Sequence, residues 1–140
     1  MADLKVEVSR IIDAPIEDVF NAWLDPGQLA RFMVPGEGMT VPESEADARE
    51  GGRFRIVMQA GEDKLPHGGT YLKIERHSQL VFTWESPFSV DGSTVTLDFS
   101  EVDGGTEIQL THVKFRDEEA RSNHRGGWQQ ILAALDGILS

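Results

Sequence analysis

The C-terminal stretch limits what this chain can fold into more than any other part. From Asp117 to Leu139 it reads as one long amphipathic helix. Trp128, Ile131, Leu132, Leu135, Ile138 and Leu139 recur at helical spacing and form a single apolar stripe. Glu118 and Glu119 stand in the first turn, where the helix dipole favours negative charge. At 1.5 Å per residue the segment is about 33 Å long, enough to cross a small domain. Burying the six apolar side chains is worth roughly 9–18 kcal/mol gross, at about 1.5–3 each. No other helical segment in the sequence offers as much, so the remainder of the chain has to cover this one. Gly126-Gly127 interrupts the helix just before Trp128. Each glycine costs roughly 0.5–1 kcal/mol against alanine there. The pair therefore predicts a close approach to the backbone, or a bend.

The cover is predicted to be mostly β. Leu4 to Ile12 alternates as a strand and stops at Asp13-Ala14-Pro15. Pro15 suits the first turn of a short helix, with Asp13 or Ala14 as its cap and Glu17 reaching back. Ile16, Val19, Phe20 and Trp23 form its buried face, and Asp25-Pro26-Gly27 ends it. A further turn or two from Gln28 to Phe32 carries Leu29 and Phe32 inward, and Met33-Val34-Pro35-Gly36 is an apolar loop. Met39 to Arg49 is weakly patterned, with Pro42 restricting it to an edge or a bulged strand. Phe54, Ile56 and Met58 share one face of the next strand, and Gly61 to Gly69 reads as a polar hairpin loop. Strands follow over Thr70 to Arg76, around Leu80, Phe82 and Trp84, and around Val95, Leu97 and Phe99. After the hairpin signal Asp103-Gly104-Gly105 the last strand runs from Thr106 to Phe115, with Ile108, Leu110 and His112 on one face. Consecutive hairpin-linked strands with segregated helices predict an α+β fold. Its elements are a curved antiparallel sheet of six to seven strands, two short helices after the first strand, and the long helix in the concavity.

Composition narrows the function. The 140 residues fit one domain over 1–140. A net charge of −11 offers no basic surface for nucleic acid and disfavours anionic membranes. Cysteine is absent, which excludes disulfides, thiol catalysis and cysteine–zinc sites. The four histidines, His67, His77, His112 and His124, show no pair at metal-ligand spacing, so no metal is expected. Gly36-Glu37-Gly38 lacks the strand-before and helix-after context of a dinucleotide fingerprint, and no phosphate loop or nucleophile elbow occurs, so no cofactor is expected. No apolar run reaches the ~18 residues of a membrane span. Met-Ala-Asp-Leu-Lys lacks the features of a signal peptide, and a cytoplasmic location is expected.

Two histidines are placed to face the interior. His124 lies four residues before Trp128 on one helix face, and His112 shares its strand face with Ile108 and Leu110. They are the candidates for a general base or for polar anchors. The plainer reading makes them core residues satisfied by backbone or packing groups. Phe54, Met58, Tyr71, Phe82, Trp84 and Trp128 supply an aromatic and methionine wall, which is ordinary core or the lining of a ligand cavity. Arg53 and Arg55 are expected on the outer sheet face, and Glu45, Asp47 and Glu50 on a solvated edge.

The segments Asp13-Ala-Pro-Ile-Glu-Asp-Val-Phe-Asn-Ala-Trp23, Gly51-Gly-Arg-Phe-Arg-Ile56, Leu80-Val-Phe-Thr-Trp84, Leu110-Thr-His112 and His124-Arg-Gly-Gly-Trp128, with Leu132 and Leu135, occur in this order along the chain. Together they resemble the activator-of-heat-shock-protein-ATPase homologue family, in the START-like or Bet v 1-like superfamily. The resemblance implies a helix-grip fold with a cavity between sheet and C-terminal helix. Where family members often carry a tryptophan after the second short helix, Phe32-Met33 stands here and would reshape the cavity entrance. Three functions follow as expectations. The first is binding of a hydrophobic, lipid-like or aromatic small molecule at Phe32, Met33, Phe54, Met58, Tyr71, Phe82, Trp84, His112, His124 and Trp128. The second is a cyclase- or dehydratase-type enzyme using a cavity histidine. The third is a stress-related module with a chaperone partner. The expected state is a monomer or weak dimer.

Overall fold

A computed structural model describes residues 4–34, 36, 38–87 and 89–139. Met1-Ala2-Asp3, Pro35 of the apolar loop and Glu37 of the Gly36–Gly38 segment lie outside the described residues. The elements run β1 (Lys5–Ile12), α1 (Ile16–Ala22), α2 (Pro26–Phe32), β2 (Thr40–Ala46), β3 (Arg53–Ala60), β4 (Asp63–Glu75), β5 (Gln79–Thr83), β6 (Thr94–Val102), β7 (Gly105–Val113) and α3 (Glu118–Leu139). The strands form one seven-stranded antiparallel sheet in the order β1-β7-β6-β5-β4-β3-β2. The sheet curls around α3, as the helix-grip expectation required.

Alternation decides which side chains enter the core. Along β7, Thr106, Ile108, Leu110 and His112 are buried and their neighbours are not. They pair across with Val6 and Val8 of β1, and with Val95, Leu97 and Phe99 of β6, in one interior. On α3, Ala120, Trp128, Ile131, Leu132 and Leu135 are buried, whereas Ile138 and Leu139 are only partly so. The Asp117 carboxylate accepts the Ala120 N–H at 2.8 Å. Asp117 is thus a capping residue ahead of the helix, not part of it.

Several local expectations need correction. The first short helix has Pro15 itself at the cap position with no side-chain cap, so neither Asp13, Ala14 nor Glu17 caps it. Asp25-Pro26-Gly27 starts α2, with the Asp25 side chain accepting the Gly27 N–H at 2.8 Å and Pro26 preorganised in the first turn. The predicted loop over Gly61–Gly69 is largely strand. Only Gly61-Glu62 turns, and Asp63 to Gly69 pairs with β3, setting Leu65 opposite Met58 and His67 opposite Ile56. Pro66 and the glycines mislead there, because β5 pairs with β4 only from Tyr71 onward, apart from a Gly68–Glu85 bridge. Over Asp63–His67, β4 has β3 as its sole sheet neighbour among the described residues, and a proline at such an edge costs no ladder bond on the open side. Pro42 behaves as expected. It lies in the edge strand β2, where the register slips between Thr40 and Glu43.

Glycines divide by what surrounds them. A Cβ on Gly69 would run into the Thr83 carbonyl oxygen and the Phe54 ring, so only glycine lets β4 pass there. A Cβ on Gly126 would stand in open space, which removes the close-approach explanation for that residue. Gly126→Ala is expected to stabilise the protein by about 0.5–1 kcal/mol through helix propensity. Gly69→Ala is expected to lower the thermal midpoint sharply. Thermal unfolding of the two variants checks both signs.

Candidate functional site

One end of the interior is open. A pocket of about 310 Å³ lies between the first half of α3 and the β3–β4 arm, lined by Met39, Met58, Leu65, His67, Trp84, Arg116, Ala120, Asn123, His124, Gly127, Trp128 and Ile131. The α3 contributors, Ala120, Asn123, His124, Gly127, Trp128 and Ile131, are spaced by threes and ones and so share one helix face. The arm contributes Met58 from β3 and Leu65 and His67 from β4, which are directed inward by strand alternation. Arg116 and Asn123 are exposed and mark the mouth. The volume is at the small end of the range for ligand sites, and the wall is mainly apolar with a few polar groups, as such sites are.

Of the residues expected to form the ligand wall, Met58, Trp84, His124 and Trp128 line this pocket. Phe32, Met33, Phe54, Tyr71 and Phe82 do not. They pack with Trp23 and Leu29 at the other end of the interior, where only about 10 Å³ is left empty. The Phe32 ring meets Trp23 edge-on at 4.9 Å, and Phe54 meets Phe82 edge-on at 5.3 Å. Helices α1 and α2 fill that end, and Tyr71 reaches Trp23 with a long 3.4 Å hydrogen bond to its carbonyl oxygen. Burial pushes the Tyr71 phenol up, with Asp47 adding to the effect. Arg53 and Arg55 lie outside, paired with Glu85 at 2.8 Å and Glu43 at 3.0 Å.

His112 is behind the pocket, fully buried, and both of its nitrogens are engaged. The Trp128 indole N–H donates to Nδ1 at 2.9 Å. Indole is a donor only, so Nδ1 must be the acceptor and the proton sits on Nε2. That proton is donated to Ser93 Oγ at 2.6 Å. A serine–histidine pair at this distance suggests nucleophilic catalysis, but the tautomer is the wrong one. A base must present an unprotonated Nε2 to the serine and donate through Nδ1. With Ser93 also buried, the pair ties β7 to the start of β6. Burial holds the His112 imidazole down at about 3, with the adjacent His124 ring contributing.

His67 and His124 differ from His112 in one respect. His67 Nδ1 lies 3.0 Å from the Leu65 carbonyl oxygen, and His124 Nδ1 lies 2.7 Å from the Ala120 carbonyl oxygen. A carbonyl only accepts, so each ring carries its proton on Nδ1. Each Nε2 has no hydrogen-bond partner among the described residues, and both rings line the pocket. Desolvation keeps His67 below its ordinary range, opposed by the Leu65 carbonyl and reinforced by His124. The Trp84 indole N–H is buried without a partner among the described residues. Neither His67 nor Leu65 was expected from the sequence. The i, i+2 alternation of Leu65, His67, Gly69 and Tyr71 carries that signal once the segment is recognised as a strand. Among the described residues no group of three or more His, Cys, Asp or Glu is placed to hold a metal ion.

With this geometry established, the chain can be set beside known proteins. The family profile described as Activator of Hsp90 ATPase homolog 1-like protein matches residues 13–140. A crystal structure of a Chromobacterium violaceum protein shares 28% identity over 96% of both chains, with a TM-score of 0.86. The solution structure of the AHSA1-like protein from Aeromonas hydrophila shares 29% identity over 95% of this chain and 90% of its own, with a TM-score of 0.82. A Nitrosomonas europaea protein at 22% identity and TM-score 0.82, covering 99% of this chain and 96% of its own, shares the fold. No curated protein matches the sequence.

Because His112 and His67 are held neutral in the folded state, the unfolded chain binds more protons below the ordinary histidine value. Their contribution to stability is complete above pH 6.5 and is lost as the pH falls from 6.5, for His112 down to about 3. Denaturant midpoints are expected to fall between pH 6.5 and 5, above the carboxylate range. His112→Asn is expected to flatten that slope at some loss of stability. Trp128→Phe leaves Nδ1 of His112 buried and unpaired, and should cost about 1–3 kcal/mol in equilibrium unfolding.

Proposed function

We propose a binding function for this chain, which belongs to the Activator of Hsp90 ATPase homolog 1-like family of the START/Bet v 1-like superfamily. Its ligand is an apolar small molecule, lipid-like or aromatic, held between the first half of α3 and the β3–β4 arm. One observation carries the reading: a 310 Å³ pocket whose apolar wall of Met58, Leu65, Trp84, Trp128 and Ile131 contains imidazole nitrogens with no hydrogen-bond partner among the described residues.

The enzyme reading gains less support. His112, one of its two candidate bases, has its lone pair occupied by the Trp128 N–H. A chaperone-directed, stress-related role, the alternative that the family's description raises, makes no use of the pocket. No helix among the described residues is long and apolar enough to cross a membrane.

The test is a titration with fatty acids and aromatic compounds, followed by amide chemical shifts. Shifts are expected to concentrate at Met58, Leu65, Trp84 and Gly127–Ile131. Gly127 lies on the pocket face of α3, so Gly127→Leu places a side chain in the ligand space. It should weaken binding at least about tenfold, or 1.4 kcal/mol. Shifts scattered away from the pocket, or undiminished binding by Gly127→Leu, would refute the assignment.

A further inference from the structure

We infer that the pocket selects a ligand bearing an aromatic hydroxyl, with the hydroxyl hydrogen donated to Nε2 of His67 or His124. The inference deepens the binding reading above and depends on it. Its basis is the hydrogen-bond inventory of the wall. The Leu65 and Ala120 carbonyls fix the proton of each ring on Nδ1, leaving Nε2 of the neutral ring as an acceptor. His67 is nine-tenths buried, so its Nε2 has little water to turn to when the pocket is filled. An acceptor left unpaired under a bound apolar molecule would weaken that complex.

The other wall groups narrow the class. Trp84 offers the pocket its ring, because its indole N–H is buried away from the accessible space. A hydroxyl group donates its hydrogen, so it matches a wall whose free ring nitrogens are acceptors. A ketone or ether has no hydrogen for Nε2. A carboxylate would face two lone pairs and lose its hydration in an apolar wall. A quaternary ammonium offers no N–H, and Arg116 at the mouth opposes it. The rings of Trp84 and Trp128 stand 4.8 Å apart at 56°, and those of Trp84 and His67 stand 5.1 Å apart. Such a set of ring faces and edges suits a flat aromatic body.

Three probes of one shape separate the possibilities: 2-naphthol, 2-methoxynaphthalene and 2-naphthoate, titrated calorimetrically at neutral pH. 2-Naphthol is expected to bind about tenfold more tightly than its methyl ether, the worth of one good hydrogen bond, with 2-naphthoate the weakest. His67→Phe or His124→Phe should remove most of the preference for the hydroxyl. Retained binding of 2-methoxynaphthalene shows that such a variant keeps a folded pocket. Equal affinities for naphthol and ether overturn the inference and leave the binding reading intact. So does tightest binding of 2-naphthoate, or a preference that survives both substitutions. Failure of all three probes to bind overturns the inference, and the fatty-acid titration above then decides the binding reading.

Discussion

The hydrogen bond from the Trp128 indole to His112 is the contact on which the interior is organised. Trp128 belongs to the helix and His112 to β7, the strand beside the β1 edge, so the bond sets the rotation of α3 about its axis. It also fixes the imidazole tautomer, and the imidazole in turn holds Ser93 at the entry to β6. Three consecutive elements, β6, β7 and α3, are thereby brought into one register by a chain of two hydrogen bonds. In a low-dielectric interior such a chain is strong when complete and costly when broken. The apolar stripe of α3 supplies most of the burial but is tolerant of small rotations. The indole–imidazole bond is not, because it depends on direction as well as distance.

That rotation divides the interior into two unlike halves. Toward α1 and α2, Trp23, Phe32, Phe54, Tyr71 and Phe82 interlock and leave almost no space. Toward the β3–β4 arm, the same helix presents Ala120, Gly127 and other short or polar residues, and the wall stays open. The adjacent glycines Gly126 and Gly127 of α3 have separate accounts. Gly127 keeps the open half open, while Gly126 faces solvent with nothing near it, and nothing in the structure explains its choice over alanine.

The fold was legible in the sequence because its signals are periodic and redundant. The six apolar positions of α3 and the alternation of Phe54, Ile56 and Met58 each repeat a period several times, so a single exception does not obscure them. The site was less legible because it depends on relations between segments. His124 and Trp128 could be placed by helical spacing alone. His67 could not, because Pro66 and Gly68-Gly69 look like a loop until β3 is seen to pair with them. His112 was directed inward as expected, but whether it met the cavity or an indole depended on where Trp128 fell. The aromatic residues from Phe32 to Phe82 have the composition of a ligand wall. It took the position of α1 and α2 to make them solid core.

The β3–β4 arm has one further consequence. Over Asp63–His67 the strand β4 is bonded on one side only, and Leu65 and His67 project from it into the pocket at two-residue intervals. Insertion or deletion of one residue in that arm would turn every later side chain to the opposite face. The wall can therefore be lengthened or shortened only in steps of two residues per strand, each step adding or removing one inward side chain. Pocket depth in this architecture is a discrete variable. The arm is free to change it without disturbing the indole–imidazole bond that holds the helix.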